Sequence, residues 1–218
     1  MSTGRDWFDW HLEYDEPGSS LSERLATVQA RIRAALDEAP PGPLQAISVV
    51  AGQGRDLIPV LRTHPRGTDV TARLVELDPR NTAVARELAN GLSSVDVVTG
   101  DASRTDAYAG LVPADLVLLC GLFGNITDED IRTTISAARG LTRSGGTVIW
   151  TRARTDPEAA DRIANVFETN GFERVYLSEP GTTKCVGAHR HSGPVQPLPA
   201  GSMFTFVGRS ESRARGLP

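Results

Sequence analysis

The chain has 218 residues, of which 39% are hydrophobic and 23% charged, and its formal net charge is −4. This composition excludes a wholly disordered chain, and the length is sufficient for a core that needs no disulfide or metal staple. Cys120 and Cys185 lack the spacing of a zinc site or a disulfide framework. The net negative charge disfavours nucleic-acid binding, and no segment reaches the ~18 apolar residues of a membrane span. We therefore expect a cytoplasmic protein with no metal, nucleic-acid or membrane partner.

The N-terminal segment, residues 1–43, differs in composition from the rest of the chain. Residues 1–40 carry eight acidic residues against four arginines, and prolines at positions 40, 41 and 43 mark the end of the segment. A capping box of Ser20 and Glu23 predicts a helix, whose apolar stripe packs on the domain. The stripe is Leu21, Leu25, Val28, Ile32 and Leu36. We expect a globular domain over 44–210 and a flexible tail over 211–218.

Short β-branched runs alternate with helical patterns after this segment. The predicted strands are Ala46–Ala51, Val70–Leu77, Val95–Thr99, Asp115–Cys120, Thr147–Thr151, Phe172–Leu177 and Met203–Val207. Consecutive apolar positions are typical of parallel strands covered by helices on both faces. The last two runs are separated by a loop rich in Gly and Pro, without a crossover helix, so they should pair antiparallel. The pattern predicts an α/β fold with a Rossmann-like, doubly wound sheet, an antiparallel last strand and an N-terminal helical appendage.

Capping residues predict where several helices begin and end. Asp78-Pro79 and Asp156-Pro157 each place an N-cap before a proline, and Thr127 with Asp130 resembles a capping box. Asn170-Gly171 is typical of a helix C-terminus.

The residues that follow the strands are candidates for ligand binding, because ligands of open parallel sheets bind beyond the carboxyl ends of the strands. Gly52 and Gly54 allow a sharp turn and close approach of a ligand. Glu76 is placed to accept hydrogen bonds from ribose hydroxyls, whereas Asp78 has a role as an N-cap. Asp101 offers an acceptor for an exocyclic amine, or alternatively caps the next turn. The predicted cofactor-binding set is Ala51, Gly52, Gly54, Asp56, Glu76, Leu77, Asp101, Ala102, Cys120 and Gly121.

From about Ala46 to Val207, these residues in this order resemble the class I methyltransferases that use S-adenosylmethionine. The motifs that resemble an actinobacterial branch of that family are Gly52-Gln-Gly-Arg-Asp56, Val75-Glu-Leu-Asp-Pro79, Cys120-Gly-Leu-Phe-Gly-Asn-Ile126 and Val148-Ile-Trp-Thr-Arg152. The resemblance implies a seven-stranded sheet with strand seven inserted antiparallel, S-adenosylmethionine across the glycine turn, and methyl transfer from a sulfonium to a nucleophile. We expect that nucleophile to be an oxygen, nitrogen or carbon of a small molecule. The family's turn reads acid-x-G-x-G-x-G, but here Ser48 replaces the acid and Val50 the first glycine.

An aromatic run at residues 7–14 predicts a lid over the substrate, or alternatively an arm that packs on the surface or on a second subunit of a homodimer. His11 is the candidate general base, because its unperturbed pKa is about 6.5. The predicted substrate-binding residues are Trp7, Trp10, Tyr14, Phe123, Arg152 and His189. His189 belongs to a His-Arg-His run in the final predicted loop, and Cys120 is interpreted as a buried thiol at a strand end rather than a nucleophile.

Two other functions remain open from the sequence. A nicotinamide-dependent oxidoreductase would use Gly52, Gly54 and Glu76 equally well, although Leu57 occupies the place of its third glycine. A non-catalytic, methyltransferase-like binding protein is compatible with the departures at Ser48 and Val50.

Overall fold

The computed structural model describes residues 6–153 and 158–207. Its strands are β1 Leu44–Val49, β2 Val70–Glu76, β3 Val95–Thr99, β4 Ala114–Leu119, β5 Thr142–Ala153, β6 Phe172–Leu177 and β7 Lys184–His191. Its α-helices are α1 Trp7–Trp10, α2 Ser20–Glu38, α3 Ile58–Thr63, α4 Pro79–Leu88, α5 Asp128–Leu141 and α6 Ala159–Thr169. Short 3₁₀ helices cover His11–Asp15, Gly67–Asp69 and Thr105–Tyr108.

The strands form one mixed sheet in the order β3-β2-β1-β4-β5-β7-β6. β1 pairs in parallel with β2 and β4, β2 with β3, and β4 with β5. β7 is inserted between β5 and β6 and is antiparallel to both. The predicted Rossmann-like, seven-stranded sheet with an antiparallel last strand is therefore confirmed.

Helices cover both faces of the sheet. Successive residues of a strand point to opposite faces, and the central strands are apolar at successive positions, so both faces need to be shielded from water. In β4, Leu116 and Leu118 pack with α2, α3 and α4, whereas Val117 and Leu119 pack with α5 and α6. The stripe of α2 is buried as predicted at Leu21, Val28, Ile32 and Leu36. The helix is thus part of one of the layers against the sheet. The division at residue 43 stays a prediction.

Several helix ends follow from local side chains. The Asp78 carboxylate accepts a hydrogen bond from the Arg80 N–H before α4, and the Thr127 hydroxyl accepts one from the Asp130 N–H before α5. α6 ends at Asn170 and Gly171, the latter at a φ of 81°. The α2 N-cap is Ser19, one residue before the predicted position. Asp156 and Pro157 lie outside the described residues.

The prediction of a strand at Met203–Val207 is wrong, since these residues are irregular and the last strand among the described residues is Lys184–His191. Position 187 in β7 has room only for glycine, because a Cβ there would lie 2.2 Å from the Trp150 ring. Glycine and histidine are typical of loops, which is why the run Lys184–His191 is predicted as one. In the structure this run is a strand that pairs with β5 on one side and β6 on the other. The later segment instead crosses the domain, where the Met203 N–H donates to Ser103 O and the Val207 N–H to Asn125 O.

Within the described residues, no helix combines the length and the apolar character needed to cross a bilayer.

Candidate functional site

A cavity of about 530 Å³ lies at the edge of the sheet where β1, β2, β3, β4 and β5 end and the antiparallel β7 begins. This volume falls in the range of small-molecule sites, roughly 300 to 1,000 Å³. The sheet and the loops after its strands contribute Val50, Ala51, Gly52, Glu76, Leu77, Asp78, Asp101, Ala102, Cys120, Gly121, Thr151, Arg152, Ala153 and Lys184. Trp7, Trp10, His11, Tyr14, Arg24, Asn81, Gly124, Asn125, Phe204 and Phe206 complete the lining.

The turn after β1 has an unusual backbone. Val50, Gly52 and Gly54 have φ values of 50°, 55° and 68°, all in the left-handed region. A β-branched residue rarely adopts this conformation, which costs roughly 1 to 3 kcal/mol. Val50 therefore takes the backbone conformation that a glycine would adopt freely at this position.

Glu76 is held beside the glycine turn by two backbone groups. Its Oε2 accepts a hydrogen bond of 2.9 Å from the Gly52 N–H, and its Oε1 accepts one of 2.9 Å from the Asp78 N–H. Each carboxylate oxygen can accept a second hydrogen bond. The carboxylate is therefore oriented toward a ligand at the turn before that ligand binds.

Of the two roles that the sequence left open for Asp101, the structure shows the cap, and the role as an acceptor for an exocyclic amine stays a prediction. Its Oδ1 accepts a hydrogen bond of 2.9 Å from the Ser103 N–H, so it caps the turn after β3. The side chain is also exposed and lines the cavity. Capping holds the carboxylate in place without removing its second oxygen from the cavity.

Asp56 and Cys120 are half-buried and interact beside the turn, with Cys120 in the cavity lining. Burial raises the pKa of the Asp56 carboxyl, although the Leu57 N–H, 2.8 Å from Oδ1, opposes this rise. Burial and the nearby Asp56 carboxylate hold the pKa of the Cys120 thiol well above its usual value. A thiol that stays protonated is a poor nucleophile, so Cys120 is not favoured as one, but it is half-buried and lines the cavity, which corrects the prediction of a buried thiol.

The N-terminal arm, residues 6–15, covers the cavity. Trp7, Trp10, His11 and Tyr14 all line it, and the Trp7 ring meets Phe206 edge-on with centroids 5.6 Å apart. The two ends of the described chain thus meet over the cavity. The role of the arm as a lid over substrate, or as an arm on the surface or on a second subunit, stays a prediction.

Two ion pairs attach this arm to the domain. Arg80 donates to both carboxylate oxygens of Asp6, at 3.0 and 2.9 Å, and Arg55 donates to both oxygens of Asp15, at 2.5 and 3.1 Å. Such two-point contacts fix geometry better than a single ion pair, although each is exposed and weak by itself. The arm is therefore attached at both of its ends and bridges the cavity between them.

His11 is the arm residue in closest contact with the glycine turn. A Cβ placed on Gly52 would lie 2.4 Å from His11 Nε2, so only glycine leaves room for the ring. Nδ1 lies 2.6 Å from Trp7 O, and because a carbonyl can only accept, Nδ1 carries the proton and Nε2 has the lone pair. Burial is the main cause that lowers the pKa of His11. The lowered pKa favours the neutral ring, whose unprotonated nitrogen lies at the turn.

Tyr14 is a poor candidate base in comparison. Burial raises its pKa to about 12. Its hydroxyl accepts a hydrogen bond from Arg24, whose guanidinium lies 5.5 Å from the centre of the Trp10 ring. Arg24 therefore orders the aromatic side chains of the arm.

Four predicted site residues do not line the cavity, namely Gly54, Asp56, Phe123 and His189. Gly54 and Asp56 lie behind the turn that the cavity touches. Phe123 is fully buried against Trp150 and Phe167, with ring centroids 6.0 and 6.3 Å away.

The prediction of a substrate contact for His189 is corrected by its position in β7. The side chain is fully buried, stacks on Phe167 at 4.7 Å, and its Nδ1 accepts a hydrogen bond from the Trp150 indole at 3.1 Å. Burial lowers the pKa of His189 to about 3. It is a core histidine, and His191 is likewise buried.

Several lining residues were missed by reasoning from the sequence. Lys184 is the single lysine of the chain and begins β7, but that strand was interpreted as a loop. Phe204 and Phe206 were assigned to a strand that does not exist. Arg24 lies on the partly exposed face of α2, where a charge normally indicates only solvation.

No protein-family model and no curated protein sequence matches the chain. Solved structures do match it. An O-methyltransferase family protein from Burkholderia thailandensis has 18% identity and a TM-score of 0.62, with 79% of this chain and 56% of that chain covered. The N-methyltransferase NodS from Bradyrhizobium japonicum WM9 has 14% identity and a TM-score of 0.62, with 81% and 99% covered.

The magnesium protoporphyrin IX methyltransferase ChlM from Synechocystis PCC 6803, with bound SAM, has 15% identity and a TM-score of 0.62. The match spans 88% of this chain and 100% of the ChlM chain. The chain spans little more than half of the Burkholderia protein, at 56%, and of the CurJ carbon methyltransferase, at 57%. Identities at this level establish the fold alone. The chain has the Rossmann-like fold of class I methyltransferases.

Proposed function

We propose that this chain transfers a methyl group from S-adenosylmethionine to a nucleophilic oxygen, nitrogen or carbon of a small molecule. The observation that carries the proposal is the covered cavity at the carboxyl edge of the sheet, where Gly52 and Glu76 are joined by a hydrogen bond. Solved structures with the same fold include an O-methyltransferase family protein, a carbon methyltransferase and an N-methyltransferase, which supports the proposal.

The residues at this edge fit the donor. Gly52 presents backbone without a side chain, Glu76 presents a preoriented carboxylate for ribose hydroxyls, and Asp101 presents an acceptor for the amine of adenine. Leu77 is 69% exposed and offers an apolar contact beside Glu76. These residues would hold S-adenosylmethionine.

When bound, S-adenosylmethionine supplies a methyl group on a positively charged sulfur. The chain's own contribution is to exclude water and to position the acceptor, which the arm does by closing the cavity. His11 is suited to remove a proton from the acceptor, since its Nε2 has a lone pair and burial, which lowers its pKa, favours the neutral ring. His11 is our proposed general base.

Binding of S-adenosylhomocysteine tests the proposal, with NAD as the comparison ligand. At about 100 times its dissociation constant, a bound ligand stabilises the folded state by roughly 2.7 kcal/mol, which thermal unfolding detects. We expect a rise in Tm with S-adenosylhomocysteine and none with NAD. Stabilisation by NAD alone would instead support the oxidoreductase alternative, and stabilisation by neither ligand would contradict both.

The role of His11 requires an acceptor, which a screen with methyl-labelled S-adenosylmethionine would supply. His11→Ala should retain S-adenosylhomocysteine binding and lose roughly 10²- to 10⁴-fold in kcat. Unchanged kcat would exclude His11 as the base. Donor binding without turnover of any compound in the screen would favour the non-catalytic binding protein.

A further inference from the structure

The arm is attached to the two loops that the proposed function assigns to the donor. Arg55, which pairs with Asp15, belongs to the glycine turn after β1. Arg80, which pairs with Asp6, belongs to the first turn of α4, and α4 follows directly after β2. The arm therefore crosses the edge of the sheet at the ends of β1 and β2.

Between its two attachments the arm lies on the candidate donor residues. His11 packs against Gly52, and the Gly52 N–H donates to the Glu76 carboxylate. Trp10 and Tyr14 of the arm line the same cavity. A ligand held by Gly52 and Glu76 is therefore in the part of the cavity that the arm covers.

Few buried side chains hold the arm in this position. No residue of α1 is buried, and in the following 3₁₀ helix only His11 is. The Asp6 and Asp15 side chains are 44% and 61% exposed, and exposed ion pairs contribute little to stability. Segments with few buried contacts open at a lower free energy than the core. The arm is thus able to open while the domain stays folded.

A short turn between the arm and α2 provides a hinge. Gly18 is exposed and has a φ of 76°, in the left-handed region. Beyond it, α2 is fixed to the domain by its buried stripe. Within the arm, Trp10 meets both Trp7 and Tyr14 edge-on, with centroids 5.7 and 5.4 Å apart. Rotation at this turn would move the arm as one unit, since hinges are commonly a few residues at the end of an element.

We propose that the arm is a gate for the donor, which opens to admit S-adenosylmethionine and again to release S-adenosylhomocysteine. Opening breaks the two ion pairs and lifts His11 from Gly52. Closing brings His11, the proposed base, back to the cavity. This inference rests on the proposed function, because that function places the donor beside Gly52 and Glu76.

A gate has a kinetic signature that a simple binding contact lacks. Opening precedes both entry and exit of the donor, so weakening the closed form raises the association and dissociation rates together. The dissociation constant, which is their ratio, then changes less than either rate. A contact that only held the bound donor would change the dissociation rate alone.

Asp6→Asn and Asp15→Asn each remove one ion pair. The Asp6 side chain also accepts a hydrogen bond from the Phe8 N–H, and asparagine is an equally good N-cap, so α1 should be preserved. Each variant should raise both rate constants by about 1.5- to fivefold, as expected for an exposed ion pair. The double variant should raise them by about two- to 25-fold, because the two pairs are at opposite ends of the arm and their effects multiply.

Stopped-flow tryptophan fluorescence of the full chain measures association of S-adenosylhomocysteine, since Trp7 and Trp10 line the cavity. Calorimetry supplies the dissociation constant, and the product of the two gives the dissociation rate. Raising the ionic strength from about 0.05 to about 0.5 M screens exposed pairs. It should therefore accelerate both rates in the wild type more than in the double variant.

Asp9→Asn is the matched control. Asp9 lies on the same arm and is exposed, and its carboxylate pairs with no cation among the described residues. It should keep the wild-type rates. Wild-type rates in the double variant, equal acceleration in Asp9→Asn, or a change in the dissociation rate alone would overturn the inference. Such results with intact S-adenosylhomocysteine binding refute the gate alone, whereas failure of the wild type to bind S-adenosylhomocysteine refutes the proposed function.

Discussion

Closure of the arm over the glycine turn predicts an energetic coupling between His11 and Gly52. In Gly52→Ala, the new Cβ would lie 2.4 Å from His11 Nε2, so the ring must move by about 1 Å to restore an ordinary contact of 3.4 Å. The ring is tied to Trp7 O through Nδ1, and its displacement therefore moves the arm. Independently of His11, alanine at a φ of 55° costs roughly 1 to 2 kcal/mol.

These two costs can be separated by a double-mutant cycle. In the His11→Ala background the clash is absent and only the backbone cost of Gly52→Ala remains. Residues in contact usually couple by about 0.5 to 3 kcal/mol, so Gly52→Ala should be less destabilising in that background by at least about 0.5 kcal/mol. Urea unfolding followed by far-UV circular dichroism measures the four free energies of unfolding.

Gly54→Ala is the control for this cycle. Its φ of 68° carries a similar backbone cost, but its Cβ would meet Ile58 and Leu74, at 2.5 and 2.8 Å, and not His11. Its cost should be the same with and without His11. If Gly52→Ala lowers the free energy of unfolding equally in both backgrounds, His11 does not pack on the turn. That result would refute the closed position of the arm.

Three further predictions follow from the site and the core. Glu76→Ala should weaken S-adenosylhomocysteine binding in calorimetry more than Asp78→Ala, which should mainly lower stability by about 1 kcal/mol through the lost N-cap; an exchange of these two effects would contradict the assignment of Glu76. Deletion of residues 1–17 should spare most S-adenosylhomocysteine binding and abolish methyl transfer. Full turnover by the truncated protein would show that the arm serves only packing. The native pKa of His189, about 3, lies below its unfolded value of about 6.5, so its contribution to stability is complete above pH 6.5 and is lost as the pH falls. Between pH 6 and 5 the unfolding free energy should drop by about 1 kcal/mol more in the wild type than in His189→Asn, and parallel pH profiles of the two proteins would refute this.

Local patterns were sufficient to predict six of the strands and the main cofactor candidates. Buried parallel strands are apolar at successive positions, and caps such as Asp78 and Thr127 act within one helical turn, so both features are readable over a few residues. The carboxyl edge of a parallel sheet then brings Gly52, Glu76 and Asp101 to one cavity, although they are distant in sequence.

Tertiary packing decided the last strand. Gly187 has no side chain because the Trp150 ring fills that space, and His189 is buried because Phe167 and Trp150 provide a stack and a hydrogen-bond donor. Taken alone, glycine and histidine in this run are typical of a loop. Only contacts with β5 make them strand residues.

Tertiary structure also decided which distant segments complete the site. Lys184 reaches the cavity because β7 runs antiparallel, which places its first residue at the edge where the parallel strands end. Phe206 and Trp7 come together from opposite ends of the described chain. Such contacts depend on the free energy of the whole packed domain and leave no periodic or capping signal in either segment. For this reason the sequence by itself determined the lining after β1, β2 and β3 more fully than the lining from β7 and from the segment after it.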